Sequence, residues 1–365
     1  MPSPTEALQL ELDRLATTDE QLAQRQTELE AQNIEVEAAT KALRIEVDEL
    51  KAWRNSQQAP TPSPAPTPPP PELAPTGAAI DLSFLPFAFN RAVRPQGNPS
   101  PIVINVSQET FQVNTSDTII EIPEGRVIDN LVFNHGIKRC WVRRSSTGGG
   151  FGTVRKLTVP TVTSAAQFPQ DLVIDGIRLE PSASQYAELY ALRLEVINCV
   201  GTGTGYFWYS GTHVPQYQDF LLANCDFTLN GDAQAAVRWE GITRGVCLNN
   251  KIRTGGRHCF RVHGVSDLVH VKGLQTSNAN QAGNGIRLGA MSGVSAQVNR
   301  VWMKDVIASG TGPEDIDVSR DGSVTVAVCD NVWSVRPSTL WSAWEAVSGA
   351  PRTGWTITNS GRRFA

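Results

Sequence analysis

Three patterns of apolar and polar residues follow one another along the chain. In the first, Leu8, Leu15, Leu22, Leu29, Val36, Leu43 and Leu50 recur every seven residues without a break. With these at d, the a positions are Leu12, Asp19, Gln26, Asn33, Thr40 and Val47, apolar at the ends and polar between. A seven-residue repeat keeps one seam turned toward a partner helix, so residues 1–58 are expected to form a coiled-coil stalk that self-associates through residues 5–54. Asn33 at an a position favours a dimer in isolation, while the rest of the chain can impose a trimer. The alternative is a single amphipathic helix lying on a larger body, for which one heptad seam is narrow.

The second pattern is residues 59–77, APTPSPAPTPPPPELAPTG, which hold nine of the 23 prolines. Such a run forms neither helix nor sheet and favours polyproline II, a semi-rigid spacer reaching roughly 50 Å at about 3.1 Å per residue.

From about Ala78 onward, short β-branched and aromatic runs alternate with Gly, Asn, Asp and Ser. They repeat: VIDNLVF (127–133), VIDGIRL (173–179), VINCVG (196–201), LANCDFTL (222–229), LNNKIRT (248–254), VKGLQTS (271–277), MKDVIAS (303–309) and CDNVWSV (329–335). Anchored on Asp129, Asp175, Asn198, Asn224, Asn249, Lys272, Lys304 and Asp330, the intervals are 46, 23, 26, 25, 23, 32 and 26 residues. A β-rich unit of that length with a short polar corner is the size of one coil of a parallel β-helix. The LxxLxLxxN pattern of leucine-rich repeats is missing. The expected fold class is therefore mainly β: a right-handed parallel β-helix over residues 78–337, preceded by the α-helical coiled coil. Residues 338–365, with Trp341 and Trp344 at helical spacing, are expected to cap its open end.

Across roughly residues 100–335 the sequence resembles the pectin-lyase-like β-helix superfamily. Asn198, Asn224 and Asn249 fall where that family stacks asparagines at a corner. The scaffold hosts lyases, hydrolases, phage tailspikes and non-enzymatic surface proteins, so the resemblance implies a fold more than an activity.

A second repeated strand follows each corner: YFWYSG (206–211), AVRWEG (236–241), CFRVHG (259–264), GIRLGA (285–290) and DIDVSR (315–320). Alternation turns Phe207/Tyr209, Val237/Trp239, Phe260/Val262, Ile286/Leu288 and Ile316/Val318 inward. The outward column then reads Trp208, Arg238, Arg261, Arg287, Asp317, beside Ser210, Glu240, His263, Gly289, Ser319. The resemblance implies that this sheet lines a carbohydrate cleft. Three stacked arginines suit an anionic glycan, because guanidinium binds carboxylates bidentately. The resemblance also implies that an arginine among cations can serve as the base of a lyase, although the RxPxxR signature is missing. Glu240 and Asp317 are candidates for a glycosidase acid/base pair, and His263 for a proton carrier. Tyr206 and Trp208 are expected outside, where they can stack on sugar rings. The plainer reading is a solvated face with Arg238–Glu240 and Arg287–Asp317 salt bridges.

Charge separates the regions further. The net charge is −4, yet residues 1–58 hold 12 acids against 6 bases, and the β-rich body carries 26 bases against 23 acids. With 40% apolar and 19% charged residues the chain is not mostly disordered. A body near +3 without a basic-aromatic motif argues against a nucleic-acid partner. No apolar run approaches the ~18 residues of a membrane span. The start, MPSPTEALQLELDRL, lacks a basic then apolar leader, so synthesis in the cytoplasm without a secretory signal is expected.

The six cysteines read as reduced buried thiols, and no CxxC or HExxH supports zinc. Asp317, Ser319 and Asp321 before Gly322 resemble the opening of a calcium loop, but Val328 stands where the closing Glu is required. Calcium is therefore a weak candidate and no other cofactor is expected. These readings converge on an oligomeric virion or cell-surface appendage that recognises, and in one version depolymerises, an acidic polysaccharide. A polysaccharide lyase or hydrolase proper and a purely structural β-helix are the alternatives.

Overall fold

The computed structural model describes residues 25–26, 80–146, 148–160, 164–182, 187–189, 191–209, 217–231, 235–262, 266–279, 283–289, 298–310, 315–318, 324–335, 355–358 and 360–362. The chain divides into a unit Met1–Pro71 and a unit Glu72–Ala365. Of the first, Arg25 and Gln26 are described, and both are helical. The coiled-coil stalk, the proline spacer and the cap tryptophans Trp341 and Trp344 otherwise lie outside the described residues.

The second unit is mainly β, a parallel β-solenoid whose successive coils pair in register. A first wall stacks strands such as Lys138–Arg144, Gln170–Asp175, Arg193–Ile197, Tyr217–Ala223, Ile242–Leu248 and Ser266–Lys272. A second wall stacks Val200–Gly203, Asp226–Leu229, Lys251–Thr254 and Gln275–Asn278, and meets the C-terminal half of Val298–Gly310. A third wall stacks Trp208–Tyr209, Val237–Trp239, His258–Val262, Asn284–Leu288 and Ile316–Val318.

The corner between the first two walls needs a left-handed backbone, which costs least for Gly and Asn. It is filled by Gly176, Asn198, Asn224, Asn249, Gly273, Asp305 and Asn331, all at positive φ between 52° and 67°. The repeat anchored on Asp175, Lys272, Lys304 and Asp330 therefore lies one residue short of the corner. Asp129 is not at a corner at all. It sits within Val127–Phe133 on the second wall, where Val127 aligns through Thr153 and Arg178 with Val200. The Asn198 amide donates to Asp175 at 2.9 Å and that of Asn224 to Asn198 at 3.3 Å, which ties successive corners together. At Gly273, whose φ is 67°, a Cβ would also stand 2.4 Å from the Asn249 side-chain oxygen, which would have to move aside.

Inward side chains stack into one continuous core. The pairs Val237/Trp239, Phe260/Val262, Ile286/Leu288 and Ile316/Val318 are all buried, as alternation requires. Phe220 links Trp208 and Trp239 at centroid distances of 5.3 and 4.9 Å. All six cysteines are buried and free, and burial pushes the Cys247 and Cys329 thiols up to about 12.

A feature outside the repeat packs against the first wall. Its outward side chains Val173, Ile197, Leu221, Ala223, Val246 and Leu248 form a second apolar cluster, covered by Ile80, Leu82, Phe84, Leu85, Phe87, Phe89 and Ala92. Residues 80–96 thus make a strap across the wall. Beside them runs a ladder of alternating charge, Asp117, Arg139, Asp171, Arg193, Asp219 and Arg244, paired at 2.5 to 2.7 Å. The strap's backbone docks on its acids: Gln96 N–H on Asp117 at 2.8 Å, Val93 N–H on Asp171 at 3.0 Å and Asn90 N–H on Asp219 at 3.2 Å. Next to the ladder, the buried Glu195 carboxylate accepts the Ala92 N–H at 3.0 Å and pairs with Arg91 and Arg94. An irregular segment over a sheet face leaves main-chain donors to satisfy, and these carboxylates satisfy them.

Removing Glu195 strips three partners from the strap at one point. Glu195→Ala is expected to cost about 3 kcal/mol in urea unfolding and to open residues 80–96 to proteolysis, whereas Thr202→Ala on the exposed second wall changes neither.

Candidate functional site

The third wall carries the column singled out by alternation. Arg238, Arg261 and Arg287 are register partners on successive rungs, and Asp317 follows Arg287. Parallel in-register strands hold such residues about 4.8 Å apart along the stack, so three guanidinium stems rise side by side.

The first rung differs from expectation by one residue. Trp208 pairs with Val237 and Tyr209 with Arg238, and Trp208 is 1% exposed within the core. The cause is the corner before it. The N–H groups of Phe207 and Trp208 both reach the Ala236 carbonyl, at 2.9 and 3.4 Å. Phe207 turns into the corner and stacks on Phe227 at 4.6 Å, which leaves the strand's inward position to Trp208. Trp208 therefore offers no face to a sugar. Tyr206 is half-buried and lies near enough to Arg261 to act on its charge.

The charges along the column are partly matched. Arg238 donates from Nε to Glu240 Oε1 at 2.9 Å, and its Nη2 meets the same oxygen. Glu240 is buried, not an outward solvent-facing acid. Arg287 Nε lies 3.3 Å from Asp317 Oδ2. Arg261 stands between the other two arginines and is 3% exposed. Burial, then Arg238 and Arg287, pull its pKa down to about 10, against the opposing pull of Glu240 and Tyr206. His258, on the same strand as Arg261, is pulled down to about 3 by burial, then by Arg261, Arg287 and Arg257. The Asn284 N–H, which donates to the Arg257 carbonyl at 2.8 Å, also lies 3.4 Å from His258 Nδ1.

Glu240 and Asp317 stand three rungs apart, a backbone separation of roughly 14 Å at ~4.8 Å each, wide for the ~6.5–9.5 Å between carboxyl groups of an inverting pair. His263, Ser210, Ser319 and Asp321 lie outside the described residues, so of the calcium candidates Asp317 alone is placed, beside Arg287. Among the described residues no group of three or more His, Cys, Asp or Glu is arranged to hold a metal, and no helix is long and apolar enough to cross a membrane. His258 was not legible as a member of this cluster, because only the rung's register sets it beside three arginines.

No protein-family model matches the chain, and neither a curated protein nor a solved structure matches it.

The His258 titration reports on this cluster. Its folded pKa lies below the ordinary value near 6.5, so the unfolded chain binds the proton first and stability falls as pH drops from about 6.5 toward 3. The slope is about 1.4 kcal/mol per pH unit for this one group. His270, pulled down to about 4 by burial with Lys272 and Lys304, adds to the upper part of that window. By NMR, Arg287→Gln is expected to raise the His258 midpoint while leaving that of His270 unchanged.

Proposed function

We propose that this protein is an oligomeric virion or cell-surface appendage whose solenoid recognises an acidic polysaccharide through its third wall. The observation that carries the reading is the in-register stack of Arg238, Arg261 and Arg287. The same molecule shows how it builds a ladder that serves only structure: on the first wall Asp and Arg alternate rung by rung, each cation next to an acid. On the third wall three cations stand in succession, with one buried between the others. Like charges in contact range oppose folding, and an anionic partner relieves that repulsion. A uronate or sialic acid polymer presents carboxylates at regular intervals; Arg287 is the guanidinium of the stack open to pair with them, and the buried Arg261 adds positive field behind it.

The pectin-lyase-like resemblance, the heptad pattern over residues 1–58 and the proline spacer support a tailspike-like layout, with right-handed β-helices projected from a joined stalk. An eliminating lyase is the second reading, favoured by the depressed pKa of Arg261, which makes that guanidine a stronger candidate base than an ordinary arginine.

Incubation with a panel of acidic capsular polysaccharides tests both readings. Binding to at least one polymer is expected, about tenfold weaker for Arg261→Ala or Arg287→Ala and weaker with added salt. Growth of the ultraviolet absorbance of an unsaturated uronate would add the lyase. Full binding by the Arg261→Ala/Arg287→Ala double variant overturns the assignment to the third wall.

A further inference from the structure

The second wall carries a surface that the third-wall reading does not use. Its outward side chains form two straight rows. One runs Asp226, Lys251, Gln275, Ile307 and Trp333; the other runs Thr228, Arg253, Ser277 and Ser309. Over the middle of these rows lies an open depression of about 220 Å³. Lys251, Arg253, Gln275, Ser277, Ile307 and Ser309 are among its lining residues.

The chemistry of the lining is specific. Asp226, the rung partner of Lys251, is taken by Arg253, whose two terminal nitrogens reach its two oxygens at 2.6 and 3.3 Å. Lys251 is thereby left without a carboxylate partner among the described residues. Beyond it stand the exposed amide of Gln275 and hydroxyl of Ser277, followed on the next rung by Ser309. Ile307 is 37% exposed, an aliphatic face in a polar row, and Trp333 continues that row half-buried with its indole N–H turned to Asn331 at 2.6 Å. One unmatched ammonium, a line of hydroxyl and amide groups and an apolar strip ending on a tryptophan match the needs of a sugar chain carrying an acidic group. Its carboxylate takes the cation, its hydroxyls take the polar side chains, and its C–H faces cover the isoleucine and the indole.

We infer that this face is a second glycan subsite, holding a short uronate-containing segment with its carboxylate on Lys251 and a sugar face on Ile307. The inference rests on the proposed function for the class of polymer, and on its own geometry for the place. Trp333 supplies the outward aromatic that Trp208, turned into the core, does not.

The test uses the full chain and sized oligogalacturonate, alginate and hyaluronan fragments, with maltooligosaccharides as the neutral control. Affinity is measured by calorimetry and the contact face by hydrogen exchange. One uronate series is expected to slow exchange in 251–254, 275–278 and 307–309, and Lys251→Gln to weaken it about tenfold, the scale of one charged hydrogen bond. Ile307→Asp, on an exposed side chain, is expected to abolish that protection while leaving the unfolding transition in place. Binding lost through Arg261→Ala and Arg287→Ala yet unchanged by Lys251→Gln and Ile307→Asp overturns this subsite and leaves the third-wall reading standing. The opposite pattern overturns the third wall and keeps the subsite. No binding of any uronate fragment by the unaltered protein overturns this subsite, and equal binding of maltooligosaccharides overturns the role given to Lys251.

Discussion

Everything in the solenoid follows from in-register parallel pairing. Each coil places a residue about 4.8 Å from its counterpart in the next, so whatever the repeat puts at one position becomes a continuous row. Rows of apolar side chains make the core, rows of Asn and Gly make the left-handed corner, and rows of polar side chains make the surfaces. A charge on such a row cannot avoid its neighbours. The chain must alternate signs, as on the first wall, or tolerate repulsion, as at Arg238, Arg261 and Arg287. The functional reading rests on that contrast.

The repeat length, the parallel stacking and the inward pairs from Val237 onward were legible in the sequence because strand alternation and a coil-length period constrain each other. The corner at Asn198, Asn224 and Asn249 was legible for a related reason, since those side chains mark a backbone that few others adopt. The charged and glycine corners lie one residue beyond the polar residues that mark the repeat: Asp175, Lys272 and Lys304 carry the polarity, while Gly176, Gly273 and Asp305 make the turn.

Other features were hidden for physical reasons. YFWY has no polar residue to phase it, so which aromatic begins the strand is decided by the Ala236 carbonyl across the coil. The strap was hidden in plain view. DLVID, RLEVIN and DFLLAN are apolar on both faces, the pattern of a sheet covered on both sides, and the alternating IDLSFLPFAF over 80–89 supplies the cover. The candidate site was half legible: the arginine column came from register alone, whereas the burial of Glu240 and Arg261 and the approach of His258 depend on packing between rungs.

The central claim is that successive coils stack in register, and distance measurement between spin labels on one outward row tests it most directly. Thr202 and Ser309 lie four rungs apart on the second wall through Thr228, Arg253 and Ser277. With both changed to cysteine and labelled, pulsed electron resonance is predicted to give one narrow distribution centred on a backbone separation of roughly 19 Å, at ~4.8 Å per rung. A broad distribution, or a centre displaced by more than two rungs, would contradict the stacking and with it the arginine column.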